Sequence, residues 1–114
     1  MVLHISEQTM AAFVAQAAQR EKQAFFGWWN ARRDRLGLIS EQDAQALFAA
    51  ASAAAADLGI EDNEEHRIFV MAAAMRILPK PTPRQEVLAY DAVFRDVPDD
   101  ERIAELIGLR DGAQ

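Results

Sequence analysis

The sequence predicts an all-α fold, a compact, irregular, antiparallel bundle of about five helices. Three observations predict it. Apolar residues recur at threes and fours along most of the chain. Capping residues precede each such run. No alternating strand pattern extends beyond Val2–Ile5. At 114 residues the chain has the length of one helical domain spanning 1–114. A domain of that size buries about two thirds of its unfolded surface and needs no covalent staple.

Residues 1–5 read as a short extended N-terminus. Ser6 then caps a helix starting at Glu7, its hydroxyl accepting a first-turn backbone N–H. Met10, Phe13, Val14, Ala17, Ala18, Glu21, Phe25, Trp28 and Arg32 share one face of this helix. It is expected to run as one long element to about Arg35, with Gly27 as the place for a kink or break. Leu36-Gly37-Leu38-Ile39 is a stop and turn. Ser40 caps the second helix, with Asp43 where a reciprocal acidic partner would sit. Its stripe is Ala44, Leu47, Phe48, Ala51, Ala55 and Leu58, and its alanines allow close helix approach. Gly59 suits the left-handed position that closes a helix, with Ile60 folding back on the last turn.

Asp62 is the expected cap of the third helix, with Glu64 and Glu65 facing the positive end of its dipole. Phe69, Val70, Ala73, Ala74, Ile77 and Leu78 form its stripe, and Pro79 stops it. Pro79-Lys80-Pro81-Thr82-Pro83 is a stiff connector. Thr82-Pro83-Arg84-Gln85 opens the fourth helix with a capping box and a proline at the first helical position. That helix carries Val87, Leu88, Tyr90 and Phe94, and Val97-Pro98 breaks it. Asp99-Asp100-Glu101 starts a fifth helix with Ile103, Leu106 and Ile107, which Gly108 should end, leaving residues 110–114 as a frayed tail.

Composition excludes several classes. There are no cysteines, hence no disulfides and no thiolate metal site, a usage that fits a reducing cytoplasm. The N-terminus has no secretory pattern and no apolar run is long enough to span a membrane, so a cytoplasmic chain is expected. The net charge is −6, all of it from the second half, where seven Lys/Arg face thirteen Asp/Glu over residues 57–114. Nucleic-acid binding requires a basic footprint, which an acidic chain lacks.

The chemistry-bearing residues are few. Asp62, Glu65 and His66 could offer two carboxylates and an imidazole to a metal, but an acidic first helical turn is the ordinary role of such residues. His4 and Ser6 lie near carboxylates, yet neither Ser6 nor Ser40 sits in a Gly-x-Ser-x-Gly elbow and both serve as caps. No glycine-rich phosphate loop is present. The chain is therefore read as non-enzymatic, with no catalytic residue, no metal and no cofactor.

Phe25-Phe26-Gly27-Trp28-Trp29 is the most informative segment. Neighbours on a helix lie about 100° apart, so Phe25 and Trp28 can face inward while Phe26 and Trp29 fall towards the edge. Two readings follow: a wide face buried under two other helices, or Trp29, with Phe26, as a surface anchor for a partner. Arg32, Arg33 and Arg35 come next, either docking an acidic partner or neutralising the helix end and pairing with the chain's own acidic half. Phe26, Trp28, Trp29, Arg32, Arg33 and Arg35 are the candidate partner-binding residues. A homodimer burying Trp29 against its symmetry mate fits the same pattern.

The layout also resembles a known group. Leu3-His4-Ile5-Ser6-Glu7-Gln8 leads into an aromatic-bearing helix, and the second helix ends Leu58-Gly59-Ile60. The charged run Glu64-Glu65-His66-Arg67 then opens the third before Phe69-Val70-Met71. Over residues 3–109 this resembles the small helical proteins encoded beside effector and spike genes in bacterial type VI secretion clusters. The chain departs from that group at Lys80-Pro81-Thr82-Pro83, where the group has an aspartate-rich linker ending in proline and tryptophan. The group carries no catalytic residues to transfer. The resemblance implies an adaptor, chaperone or accessory role beside a secreted effector or spike protein, or an immunity role against a cognate toxin. A small metal-binding enzyme built on Asp62, Glu65 and His66 is the third reading.

Overall fold

The computed structural model describes the backbone of residues 7–60, 63 and 66–112, with side chains from residue 19 onward within those ranges. Its helices are α1 (Glu7–Asn30), α2 (Arg33–Leu36), α3 (Glu41–Asp57), α4 (Arg67–Ile77), α5 (Pro83–Phe94) and α6 (Asp99–Asp111). The fold is all-α, as the sequence predicts, and no strand occurs among the described residues. No helix there is long and apolar enough to cross a membrane.

The helices are arranged around α4. It packs against α3, α5 and α6, while α1 lies on α3 and α5 lies on α6. The segment Arg67-Ile68-Phe69-Val70-Met71-Ala72-Ala73 explains this position, because every residue from Ile68 to Ala73 is buried. A helix apolar all round can only be a central one. A single stripe of Phe69, Val70, Ala73, Ala74, Ile77 and Leu78 is therefore too narrow a description. Met71 and Ala72 are also enclosed, and Ala74 sits at the rim.

The long first helix passes intact through Gly27 and ends at Asn30; a one-turn α2 follows. The interruption thus falls at Ala31–Arg32 rather than at Gly27. Arg32 N–H bonds back to Trp29 O at 2.8 Å, tightening the turn, and Trp29 Nε1 donates to Gly37 O at 2.9 Å. The buried indole draws the following loop back over the helix. Gly37, with φ of 86°, makes the reversal that ends α2.

Helix α3 begins and ends as expected. Ser40 Oγ accepts from Asp43 N–H at 3.0 Å. At the other end Gly59 has φ of 79°, its N–H reaches Ala56 O at 3.0 Å, and Ile60 N–H reaches Ala55 O at 2.9 Å. Those two bonds form a Schellman closure.

Helix α4 starts later than the sequence suggests, at Arg67. Asp62, Glu64 and Glu65 lie outside the described residues, as do Ser6 and the extended N-terminus over 1–5. The described start is made by Asn63, whose Oδ1 accepts from Ile68 N–H at 2.8 Å, and by His66 in the left-handed region with φ of 58°.

The Thr82–Gln85 capping box is complete in both directions, at 3.2 and 2.9 Å. Gln85 Nε2 also donates to Leu109 O at 3.1 Å, tying α5 to the end of α6. The apolar face of α5, however, is not the one its large residues suggest. Ala92 and Val93 are buried and Ala89 packs beside them, whereas Val87, Tyr90 and Phe94 are 67%, 41% and 41% exposed. Small residues let α5 lie close on α4 and α6, and the bulky ones are left on the outer side.

Helix α6 runs past Gly108 to Asp111, so Gly108 does not end it and Arg110 is helical rather than frayed. Ile107 and Leu109 pack against the core on either side of the glycine and carry the helix through it. One hydrophobic cluster joins α1, α3, α4, α5 and α6, with Phe25, Trp28, Trp29, Phe48 and Phe69 at its aromatic centre.

Candidate functional site

The residues singled out by the sequence divide sharply in the fold. Trp29 is fully buried, which corrects its reading as a surface anchor and places its indole inside its own chain; Trp28, a candidate partner-binding residue expected on the inward face, is nearly as buried. The physical reason is width. Phe25 stacks on Trp28 at 6.0 Å, meets Trp29 edge-on at 5.9 Å and packs on Phe48 of α3 and Phe69 of α4, while the Trp29 indole bonds to the Gly37 loop. Phe26 is half-buried against the same cluster.

Of the arginines that follow, Arg32 is turned on the chain's acidic half and Arg35 reaches it by one hydrogen bond. Arg32 lies over the Trp28 ring at 4.7 Å and donates from Nη1 to Trp28 O at 3.0 Å. Its Nη2 is 3.8 Å from Asp99 Oδ2 and its Nε 3.2 Å from Asp100 Oδ1. Arg35 Nη1 donates to Asp100 O at 3.3 Å. Arg33 is exposed on α2. For Arg32 this is the acidic-half pairing that the sequence offered as one of its two readings.

Asp99 is the centre of a polar seam joining three helices. As the first residue of α6, it accepts a bond from Trp28 Nε1 at 3.0 Å on Oδ2. The same oxygen pairs with His66 Nδ1 at 2.6 Å, and Oδ1 faces Arg102 Nη1 at 3.4 Å. Arg102 itself is 1% exposed, with Nε donating to Arg95 O at 2.9 Å. Burial alone would push the Asp99 carboxyl up. The hydrogen bonds from His66 and Trp28, with the charges of His66 and Arg32, outweigh that and hold it below the ordinary carboxylate range.

A cavity of about 360 Å³ adjoins this seam, lined by His66, Asp96, Val97, Pro98, Asp99 and Arg102. An imidazole whose Nδ1 is held by a carboxylate is half of an acid–base relay. Nucleophilic catalysis also needs an attacking group, and beside the imidazole the described lining offers only the carboxylates of Asp96 and Asp99. His66 is committed to Asp99 and stacked on Phe69 at 5.0 Å. Asp62 and Glu65, its proposed co-ligands, lie outside the described residues, among which no group of three His, Cys, Asp or Glu could hold a metal.

A second depression lies between α3, α4 and α5. There a groove of about 140 Å³ is walled by Met71, Met75, Leu78, Ala89 and Val93, with Glu86 and Tyr90 among its lining. Of the α5 residues that the sequence assigned to the helix's apolar face, Tyr90 lines it. Neither the groove nor Asp99 stands out in the sequence. The signals that could have found them are the unbroken apolar run of α4, which needs neighbours on every side, and the buried Trp28 N–H, which needs an acceptor.

Compared with family models, with curated proteins and with solved structures, the chain matches none.

Proposed function

We propose that this chain is a non-enzymatic protein-binding module, acting in the cytoplasm as an adaptor or chaperone for a type VI secretion effector or spike protein. The observation that carries the binding role is the open apolar groove between α3, α4 and α5. Two methionines in its wall supply flexible, polarizable side chains that adapt to the shape of an inserted residue. The occupant that fits is an amphipathic helix of the partner, inserting an apolar side chain and placing a cationic residue beside Glu86. The secretion context rests on the sequence resemblance alone.

Co-purification of the full chain with the products of neighbouring genes tests this. The expected outcome is a stable complex that Met75→Lys weakens at least about tenfold while the helical circular dichroism is unchanged, in line with loss of a central contact. Absence of a complex with every neighbouring product overturns the reading.

The exposed carboxylates of Asp96, Asp100 and Glu101 support a second reading, an immunity protein whose acidic surface covers the basic cleft of a toxin. A toxicity-rescue assay separates the two, since an adaptor supports export without protecting the cell from intracellular toxin.

A further inference from the structure

The chain has no cysteine, so its oxidisable sulfur is all thioether, in Met1, Met10, Met71 and Met75. Met71 and Met75 both line the groove between α3, α4 and α5. They stand four residues apart on α4, one turn along the same face. Their surroundings differ. Met71 is 6% exposed and belongs to the core, whereas Met75 is only partly buried and packs against the core from the groove. Apart from Glu86 and Tyr90, the described lining is apolar.

We infer that Met75 is a reversible oxidation site that closes the groove to apolar occupants. The consequence for a partner helix rests on the function proposed above; the oxidation itself does not. The oxidant is a peroxide. The Met75 sulfur takes one peroxide oxygen, an S–O bond forming as the O–O bond breaks. Sulfur gives up two electrons, and hydrogen peroxide leaves as water once the proton of the transferred oxygen has moved to the departing hydroxide.

The sulfoxide replaces a soft apolar atom with a strong hydrogen-bond acceptor. Glu86 brings a carboxylate, itself an acceptor, so the lining side chains offer the new oxygen only the Tyr90 hydroxyl. Water is the other donor. Both compete with an inserted apolar side chain, and an occupant that displaces them leaves the sulfoxide oxygen unpaired. Oxidation of Met71 instead places a polar atom in the core, where burial also keeps peroxide out. The fold thus separates a sulfur that can change without cost to the core from one that cannot.

Peptide-resolved mass spectrometry of the folded chain after exposure to hydrogen peroxide tests the site. The expected result is a gain of one oxygen, about 16 Da, at Met75 ahead of Met71, reversed by methionine sulfoxide reductases. The groove is read separately with Nile red, a neutral apolar dye, assigned to the groove by its loss in Met75→Lys. Dye affinity should fall at least about tenfold on peroxide treatment, with helical circular dichroism unchanged, and recover on reduction. In Met75→Leu, which has no sulfur at that position, treated and untreated protein should bind the dye alike. Oxidation of Met71 as fast as Met75 in the folded chain overturns the inference. So does a peroxide effect that persists in Met75→Leu, a Met75 sulfoxide that leaves dye affinity unchanged, or a groove that takes up no dye before treatment. None of these measurements needs a partner. A failed co-purification beside a dye that responds to peroxide therefore overturns the proposed function alone.

Discussion

Asp99 is bonded to one residue 71 positions away in the chain and to another 33 positions away, and it holds α1, α4 and α6 together through one carboxylate. Replacing it with Asn keeps the shape but puts an NH2 donor in place of one oxygen, opposite either Trp28 Nε1 or Arg102 Nη1. The expected loss is about 1–3 kcal/mol of stability, as for a buried group left without its partner, read from urea unfolding. The pH dependence follows from the depressed carboxyl. Its folded value lies below the unfolded one, so its contribution is fully present above the unfolded value of about 3.9 and is lost as pH falls through the folded value. The stability difference between wild type and Asp99→Asn should therefore shrink as pH falls below that value. A difference that grows there contradicts the assignment. The sequence shows residues of this kind only where their partners are local. Ser40, Thr82 with Gln85, and Gly59 bond within a few positions and are legible as caps and stops. Asp99 reads as one more acidic residue at a helix start because its partners are remote.

Helix limits were legible where a local signal acts alone and misread where packing overrides it. Gly27 and Gly108 carry helix-breaking propensity, worth about 1 kcal/mol against alanine, but α1 and α6 pass straight through both because flanking residues are anchored in the core. A methyl group added at Gly27 meets nothing within 4 Å. Gly27→Ala is therefore expected to stabilise the protein by about 0.5–1 kcal/mol, seen as a thermal midpoint higher by a few degrees. Gly37 behaves in the opposite way. The space beside it is also open, yet its φ of 86° strains any residue with a side chain. Gly37→Ala should cost about 1–3 kcal/mol and loosen the turn that receives the Trp29 indole. Equal effects of the two substitutions in thermal melts would show that the α1–α2 break does not depend on that backbone conformation. The misread face of α5 has the same origin. Size suggested Val87, Tyr90 and Phe94 as the packed side, whereas the separation of α5 from α4 and α6 admits only Ala89, Ala92 and Val93.

At the scale of the molecule, the all-α class was readable because helical periodicity and capping agree along the chain. The location of binding surfaces was not, because it depends on which faces are left over after packing. The tandem tryptophans illustrate this. Large aromatics are favoured both in cores and in interfaces, and only the third dimension decides between them. Here Phe25, Trp28, Trp29, Phe48 and Phe69 interlock at centroid separations of 5.3–6.0 Å across α1, α3 and α4. With one cluster connecting five of the six described helices, unfolding should be a single cooperative event. Tryptophan fluorescence, which reports the α1 side of the core, and far-ultraviolet circular dichroism, which reports every helix, are expected to give coincident urea transitions. Phe25→Ala removes the ring that touches four of its aromatic neighbours and should lower stability by about 3–5 kcal/mol with both probes still moving together. If fluorescence changes at lower urea than circular dichroism, α1 detaches before the α4–α5–α6 unit, and Asp99, whose bonds to Trp28 and His66 span that division, is then the contact that yields first.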